Sequence, residues 1–161
     1  MVITVLALFA AAIMPNIVRE KHSREVRQFF PQMRNLLLAT RSKAIGDGVT
    51  RTVRIDDGAN RVIVERTDAT TGDVTEDGSL SMPSGVTTNA FRLKKDDSNA
   101  ADWKVGFYAD GRSEGGGVEF KADGKSISLL IEPGGAVKLQ DGELPDISNQ
   151  EWDAGGYEQR I

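Results

Sequence analysis

The chain has 161 residues, with 20 Lys and Arg against 24 Asp and Glu, a formal net charge of -4 and no cysteine. That length holds one core plus an appended helix and excludes two full domains. The acidic balance argues against a general nucleic-acid or anionic-lipid binder, which needs a clustered positive surface, and the lack of cysteine removes disulfides, thiol nucleophiles and thiolate metal sites.

The first segment, residues 1–14, reads MVITVLALFAAAIM; it carries no charge and one weakly polar residue, Thr4. As a helix it would span about 21 Å, short of the roughly 20 residues that cross a bilayer. A buried core helix, a secretory signal and a membrane helix that begins upstream of Met1 all fit that length. A signal should open on a basic region, which is missing, although Ala10-Ala11-Ala12 resembles a cleavage site. The third reading accounts for the absent flank and predicts that helical character continues past residue 15.

It does continue, because in residues 16–45 the apolar positions Val18, Val26, Phe29, Phe30, Met33, Leu36, Leu37, Thr40 and Ala44 recur at three- and four-residue steps. Arg19, Lys21, Arg24, Arg27, Arg34 and Arg41 share the opposite face, and Gly46-Asp47-Gly48 supplies the stop. Pro15 and Pro31 each remove a backbone hydrogen bond, so a long kinked helix is expected. Its second half, through Phe29, Phe30, Met33, Leu36 and Leu37, is expected to pack on the rest of the chain, while the first half has no visible partner.

After Gly48 the period becomes two. Val49, Arg51, Val53 and Ile55 alternate with Thr50, Thr52 and Arg54, and a turn at residues 56–60 leads into residues 61–66, a β-hairpin. Residues 68–78 read as a loop, and short strands are expected at 79–82, 86–93, 104–108, 117–122, 126–132 and 136–139. Strand upon strand without a helical interval predicts an antiparallel β-sandwich with the helix against one sheet, an α+β fold. The units are thus 1–15 apolar helix, 16–45 amphipathic stem, 49–140 β domain and 141–161 acidic tail, pinned only by Leu144, Ile147, Trp152 and Tyr157.

Candidate chemistry is sparse. His22, the one histidine, lacks a second group to orient it, and Ser42, Ser113 and Ser126 lack a nucleophile-elbow context. Asp73, Glu76 and Asp77 are the best of several acidic clusters for calcium, but their spacing is not that of an EF-hand and turn formation is the preferred use. Gly115-Gly116-Gly117 reads as a hairpin tip or bulge. No catalytic, metal or cofactor-binding residue is assigned.

An uncharged apolar helix closed by a proline, continuing as an amphipathic stem into a β domain, resembles the type IV pilin and pseudopilin architecture. Ala10-Ala11-Ala12-Ile13-Met14-Pro15 is similar to the second part of the pilin helix. Residues 38–45, with Arg41, Ser42, Ala44 and Ile45, resemble the stem end of H-type minor pseudopilins of type II secretion systems. Residues 107–116, with Phe107, Asp110, Gly111 and Arg112, resemble the paired C-terminal strands of that family together with residues 127–137. Residues 68–102 and the tail are unmatched, as are the basic leader, the Gly-Phe cleavage site and the glutamate that follows it. Aligning Pro15 with the family's proline implies about seven mature residues and a leader upstream.

The resemblance implies a non-enzymatic subunit near the tip of a pseudopilus, with a methylated mature terminus, that supports export of folded proteins across the outer membrane. It implies a single-pass inner-membrane helix carried by Val5, Leu6, Leu8, Phe9, Ile13 and Pro15, and a periplasmic β domain. Implied partners are other minor and major pseudopilins, the inner-membrane secretion platform and, before assembly, the lipid bilayer; no nucleic acid is expected. Two alternatives are a minor pilin of the fimbrial T kind and an exported β-sandwich binding module with a signal peptide.

Overall fold

The computed structural model describes residues 2–94 and 96–145, with side chains from residue 23 onward along the helix. Helix α1 (Val2–Asp47) is one continuous element. It runs through Pro15 and Pro31, and the kink expected there is not seen. Pro31 is exposed between buried Phe30 and Met33, where the carbonyl it leaves without a donor can reach water. The stop is glycine-made: Gly48 has φ 72° and its amide donates to Ala44 O at 3.1 Å, a left-handed C-terminal cap.

Among the described residues nine strands follow: β1 (Arg51–Asp56), β2 (Arg61–Thr67), β3 (Val74–Ser81), β4 (Val86–Leu93), β5 (Asp96–Ser98), β6 (Lys104–Phe107), β7 (Gly116–Ala122), β8 (Lys125–Ile131) and β9 (Val137–Asp141). They form two antiparallel sheets, one of four strands in the order β3-β2-β1-β6 and one of five in the order β5-β4-β7-β8-β9. The expected hairpin is β1–β2, with Val53 opposite Val64 and Ile55 opposite Val62. Asp123 and Gly124, both at positive φ, close β7 onto β8, the backbone twist that two-residue Asp-Gly hairpins favour.

Two expectations need correction here. The stretch 68–78 is a loop only as far as residue 73, because β3 begins at Val74 and pairs along the outer edge of β2. Its side chains are largely exposed, so no apolar alternation marks it as a strand. The expected sheet-on-sheet sandwich is also replaced by two sheets that share the helix as a packing partner. Buried Phe29, Phe30, Met33, Leu37 and Ala44 of α1 join Val53, Val64 and Val105 of one sheet and Val118, Phe120 and Leu129 of the other in a single core cluster.

The link to the five-stranded sheet is aromatic. Phe29, Phe30 and Phe120 stand edge to face, with centroids 5.2, 5.8 and 5.9 Å apart, a geometry that adds about 0.5–1.5 kcal/mol per pair beyond burial. At the opposite end of the core, fully buried Trp103 donates its Nε1–H to Arg92 O at 3.0 Å and so satisfies its one polar atom. Phe120→Ala should destabilise the domain by about 3–5 kcal/mol. Urea unfolding followed by tryptophan fluorescence measures this, and a loss below ~1 kcal/mol would contradict the triangle as the helix anchor.

Candidate assembly surface

The C-terminal turns of α1 meet two loops of the β domain, and Arg41 joins all three. Its Nε donates to Gly111 O at 2.9 Å and its Nη2 to Gly134 O at 3.2 Å. Both acceptors lie in turns that glycine permits: Gly111 has φ 81° and Gly135 has φ 77°. A Cβ on Gly135 would overlap Gly111 O and Arg41 Nε, and one on Gly111 would stand 3.2 Å from Ile45 Cδ1. The guanidinium is therefore received by bare backbone, the close approach that only glycine allows. Beside it Ile45 is half exposed, one of two large apolar side chains so exposed among the described residues.

One turn further on, the buried Arg51 of β1 closes the helix end. It donates from Nη1 and Nη2 to the two oxygens of Asp47 at 2.8 and 2.7 Å, and from Nε to Asp77 Oδ2 of β3 at 2.8 Å. Lys43 Nζ also reaches Asp77 Oδ2, at 3.2 Å. The fork geometry lets one arginine serve two carboxylates. Hydrogen bonding to Arg51 holds both the Asp47 and Asp77 carboxyls below the usual aspartate range and raises the guanidinium in turn.

The sequence-derived family motif is brought together in part. Arg41, Ile45 and Gly111 adjoin, Ala44 is fully buried beneath them, and Phe107 lies in the core with a bridge to Ser113. Arg112 is exposed and pairs with Asp110, whose Oδ2 accepts from its Nε at 2.6 Å. Ser42 is exposed and bonds back to Leu38 O in its own helix. Among the stem residues Phe29, Phe30, Met33 and Leu37 are buried and Leu36 is partly buried. The side chains of Val5, Leu6, Leu8, Phe9, Ile13, Pro15 and His22, and the tail residues Ile147, Trp152 and Tyr157, lie outside the described residues. Among the described residues no helix is long and apolar enough to cross a membrane.

Sequence reasoning missed the Asp47–Arg51–Asp77 network, although an arginine on the inward period of β1 was a legible signal. The acidic cluster weighed for calcium is engaged elsewhere: Asp77 with Arg51 and Lys43, Glu76 with Arg61 at 3.5 Å. Among the described residues no three His, Cys, Asp or Glu side chains converge as a metal site. A cleft of about 420 Å³ between the end of β1 and the start of β6 is open and lined by residues such as Asp56, Asp57, Ala100 and Lys104.

A long N-terminal helix packed on antiparallel sheets is the pilin-like fold. The minor pseudopilin EpsH of the type 2 secretion system of Vibrio cholerae shares it: two structures each superpose with a TM-score of 0.58, at 17% and 18% identity, over 74% and 76% of this chain and 99% and 98% of theirs. The type IV minor pilin FimU of Pseudomonas aeruginosa matches with a TM-score of 0.55 and 15% identity, over 73% of this chain and 90% of that one. No protein-family model and no curated relative matches the sequence.

Arg51→Met should cost about 1–3 kcal/mol at neutral pH, because it removes the charge-assisted hydrogen bonds of a buried guanidinium to Asp77 and Asp47. Folded-state carboxyl pKa values are depressed, so this stabilisation is present above the ordinary aspartate value of 3.8 and is lost as pH falls through the folded values. Unfolding curves of the parent and Arg51→Met chains should therefore converge below that pH. A stability gap that stays constant down to about pH 2 would show that the ion pairs are not its source.

Proposed function

We propose that this chain is a minor pseudopilin of the H kind, a non-enzymatic subunit near the tip of a type II secretion pseudopilus. The observation that carries the reading is the superposition on essentially the whole of the EpsH chain, at a TM-score of 0.58. The uncharged run of residues 2–14 that leads into the same continuous helix supports it. In this role the apolar helix holds the subunit in the inner membrane with the β domain in the periplasm. On assembly the helix exchanges lipid contacts for contacts with neighbouring pilin-like helices, which pack through van der Waals complementarity and not through any further hydrophobic gain. The stem clamp at Arg41 and Arg51 then transmits the position of the helix to the outward-facing domain. Partners are other minor and major pseudopilins and the secretion platform.

The likeness to FimU favours a second reading, a minor pilin of a type IV pilus. An in-frame deletion in the encoding organism separates the two. Loss of export of folded proteins, restored by the intact gene, is the expected result; intact export with loss of surface pili would favour the pilus reading, and no change in either would overturn both. In the same strain Leu8→Arg should release the protein from the membrane fraction, since a charge at that depth costs about 2.5–3.5 kcal/mol or more. Unchanged fractionation would count against the anchor.

A further inference from the structure

The two flanks of α1 carry different chemistry. Toward β3, Glu25, Gln28 and Gln32 line a cleft with Met82 and Pro83. Toward β9, a row at steps of three and four reads Arg24, Arg27, Pro31, Arg34, Leu38, Arg41 and Ile45. Its side is fixed by contacts: Arg34 donates from Nε to Val137 O at 3.4 Å, and Arg41 reaches Gly111 O and Gly134 O. Arg24, Arg27, Pro31 and Arg34 are exposed, Leu38 and Arg41 are half-buried, and Ile45 is 49% exposed.

The row has charge of one sign. No Asp or Glu stands in it, although the chain as a whole has a net charge of -4. The acceptors that Arg34 and Arg41 use are neutral carbonyls, so these bonds leave the positive charge uncancelled. A guanidinium has five donors and keeps N–H groups free after one or two bonds. The alternating steps average 3.5 residues, the period at which a row stays in line with a second helix crossing at a small angle.

We propose that this row is a seam on which α1 receives a helix of a neighbouring pilin-like subunit, one that carries Asp or Glu together with apolar residues at the same spacing. The identity of the neighbour rests on the pseudopilin reading. Charge and reach argue against the other occupants. A second copy of this chain would bring the same four arginines to the seam, and like charges facing each other there repel. A layer of lipid headgroups cannot follow the row, because Arg41 lies about 33 Å along the axis from Arg19, the first charge after the apolar run. An acidic helix matches the row in sign and in length, and Leu38 and Ile45 offer its apolar residues a contact near the end of α1. Such matching selects a partner and its register more than it adds affinity.

The test titrates the full chain in detergent micelles with a labelled, alanine-rich helical peptide as long as the row, with Glu and Leu alternating at the seam spacing, and with a counterpart in which every Glu is Lys. The acidic peptide should bind saturably at about 50 mM salt, at least about tenfold more tightly than the basic one, and weaken at about 0.5 M salt. In the double variant Arg27→Glu, Arg34→Glu the preference should reverse. No binding of the acidic peptide, equal binding of both peptides by the parent, or a preference unchanged in the double variant overturns the proposal. Should the double variant lose the parent's unfolding transition, Arg27→Glu alone, at an exposed position, decides: the preference should fall at least about threefold, and an unchanged preference overturns the seam. In a deletion strain the double variant should stay in the membrane fraction and fail to restore export, and full restoration also overturns it. A deletion that itself leaves export intact removes the secretion reading, while the peptide titration still decides the seam.

Discussion

The packing of the second half of α1 against both sheets is the constraint on which the rest of the structure depends. Phe29, Phe30, Met33, Leu37 and Ala44 are all but removed from water, and no isolated helix could hide them. Each sheet likewise has one apolar face and needs a cover. A single helix satisfies both, and the core is consequently one cluster and not two. The polar contacts at Arg41 and Arg51 come after this packing. They fix the rotation and end point of a helix whose position the apolar residues have already decided.

That order explains why the junction is made of glycine turns and forked arginines. Once the helix end is pressed against the loops at Gly111 and Gly134–Gly135, there is no room for a Cβ, and the loop carbonyls need donors. Arg41 offers several donors in one plane. Arg51 does the same for two carboxylates that would repel each other without it, so a residue on the buried period of β1 remains charged at little cost. The junction thus ties the helix end to both loops and to β3 through side-chain hydrogen bonds.

Much of the fold was legible in the residues. The three- and four-residue period marked the helix, Gly46-Asp47-Gly48 marked its end, and alternation marked β1, β2, β4 and β6 to β9 close to their observed limits. The failures have physical causes. β3 and β5 are edge strands held by backbone pairing, and their exposed polar side chains carry no periodic signal. A proline on the exposed side of a helix need not end it, and α1 is continuous through Pro31. The triplet of glycines was expected at a hairpin tip or bulge, whereas Gly116 and Gly117 open β7 with close approaches on opposite faces. Of the candidate site, Arg41 and Gly111 were named by resemblance, while Arg51, Asp47 and Glu119 were missed: Arg51–Asp77 and Glu119–Asn89 join residues 26 and 30 apart with no local spacing, and Asp47 with Arg51, only four apart, spans the end of the helix and the start of a strand, where neither period applies.

The sequence by itself determined the succession of an apolar run, an amphipathic stem and a β domain, because hydrophobic period and turn chemistry act over a few residues. The tertiary structure alone decided that two sheets share the helix, that Arg51 bridges Asp47 and Asp77, and that the start of the tail lies across Glu119 and Gly117. Each of these joins residues brought together only by burial of the whole core, and its energetics depend on the absence of water that such burial creates.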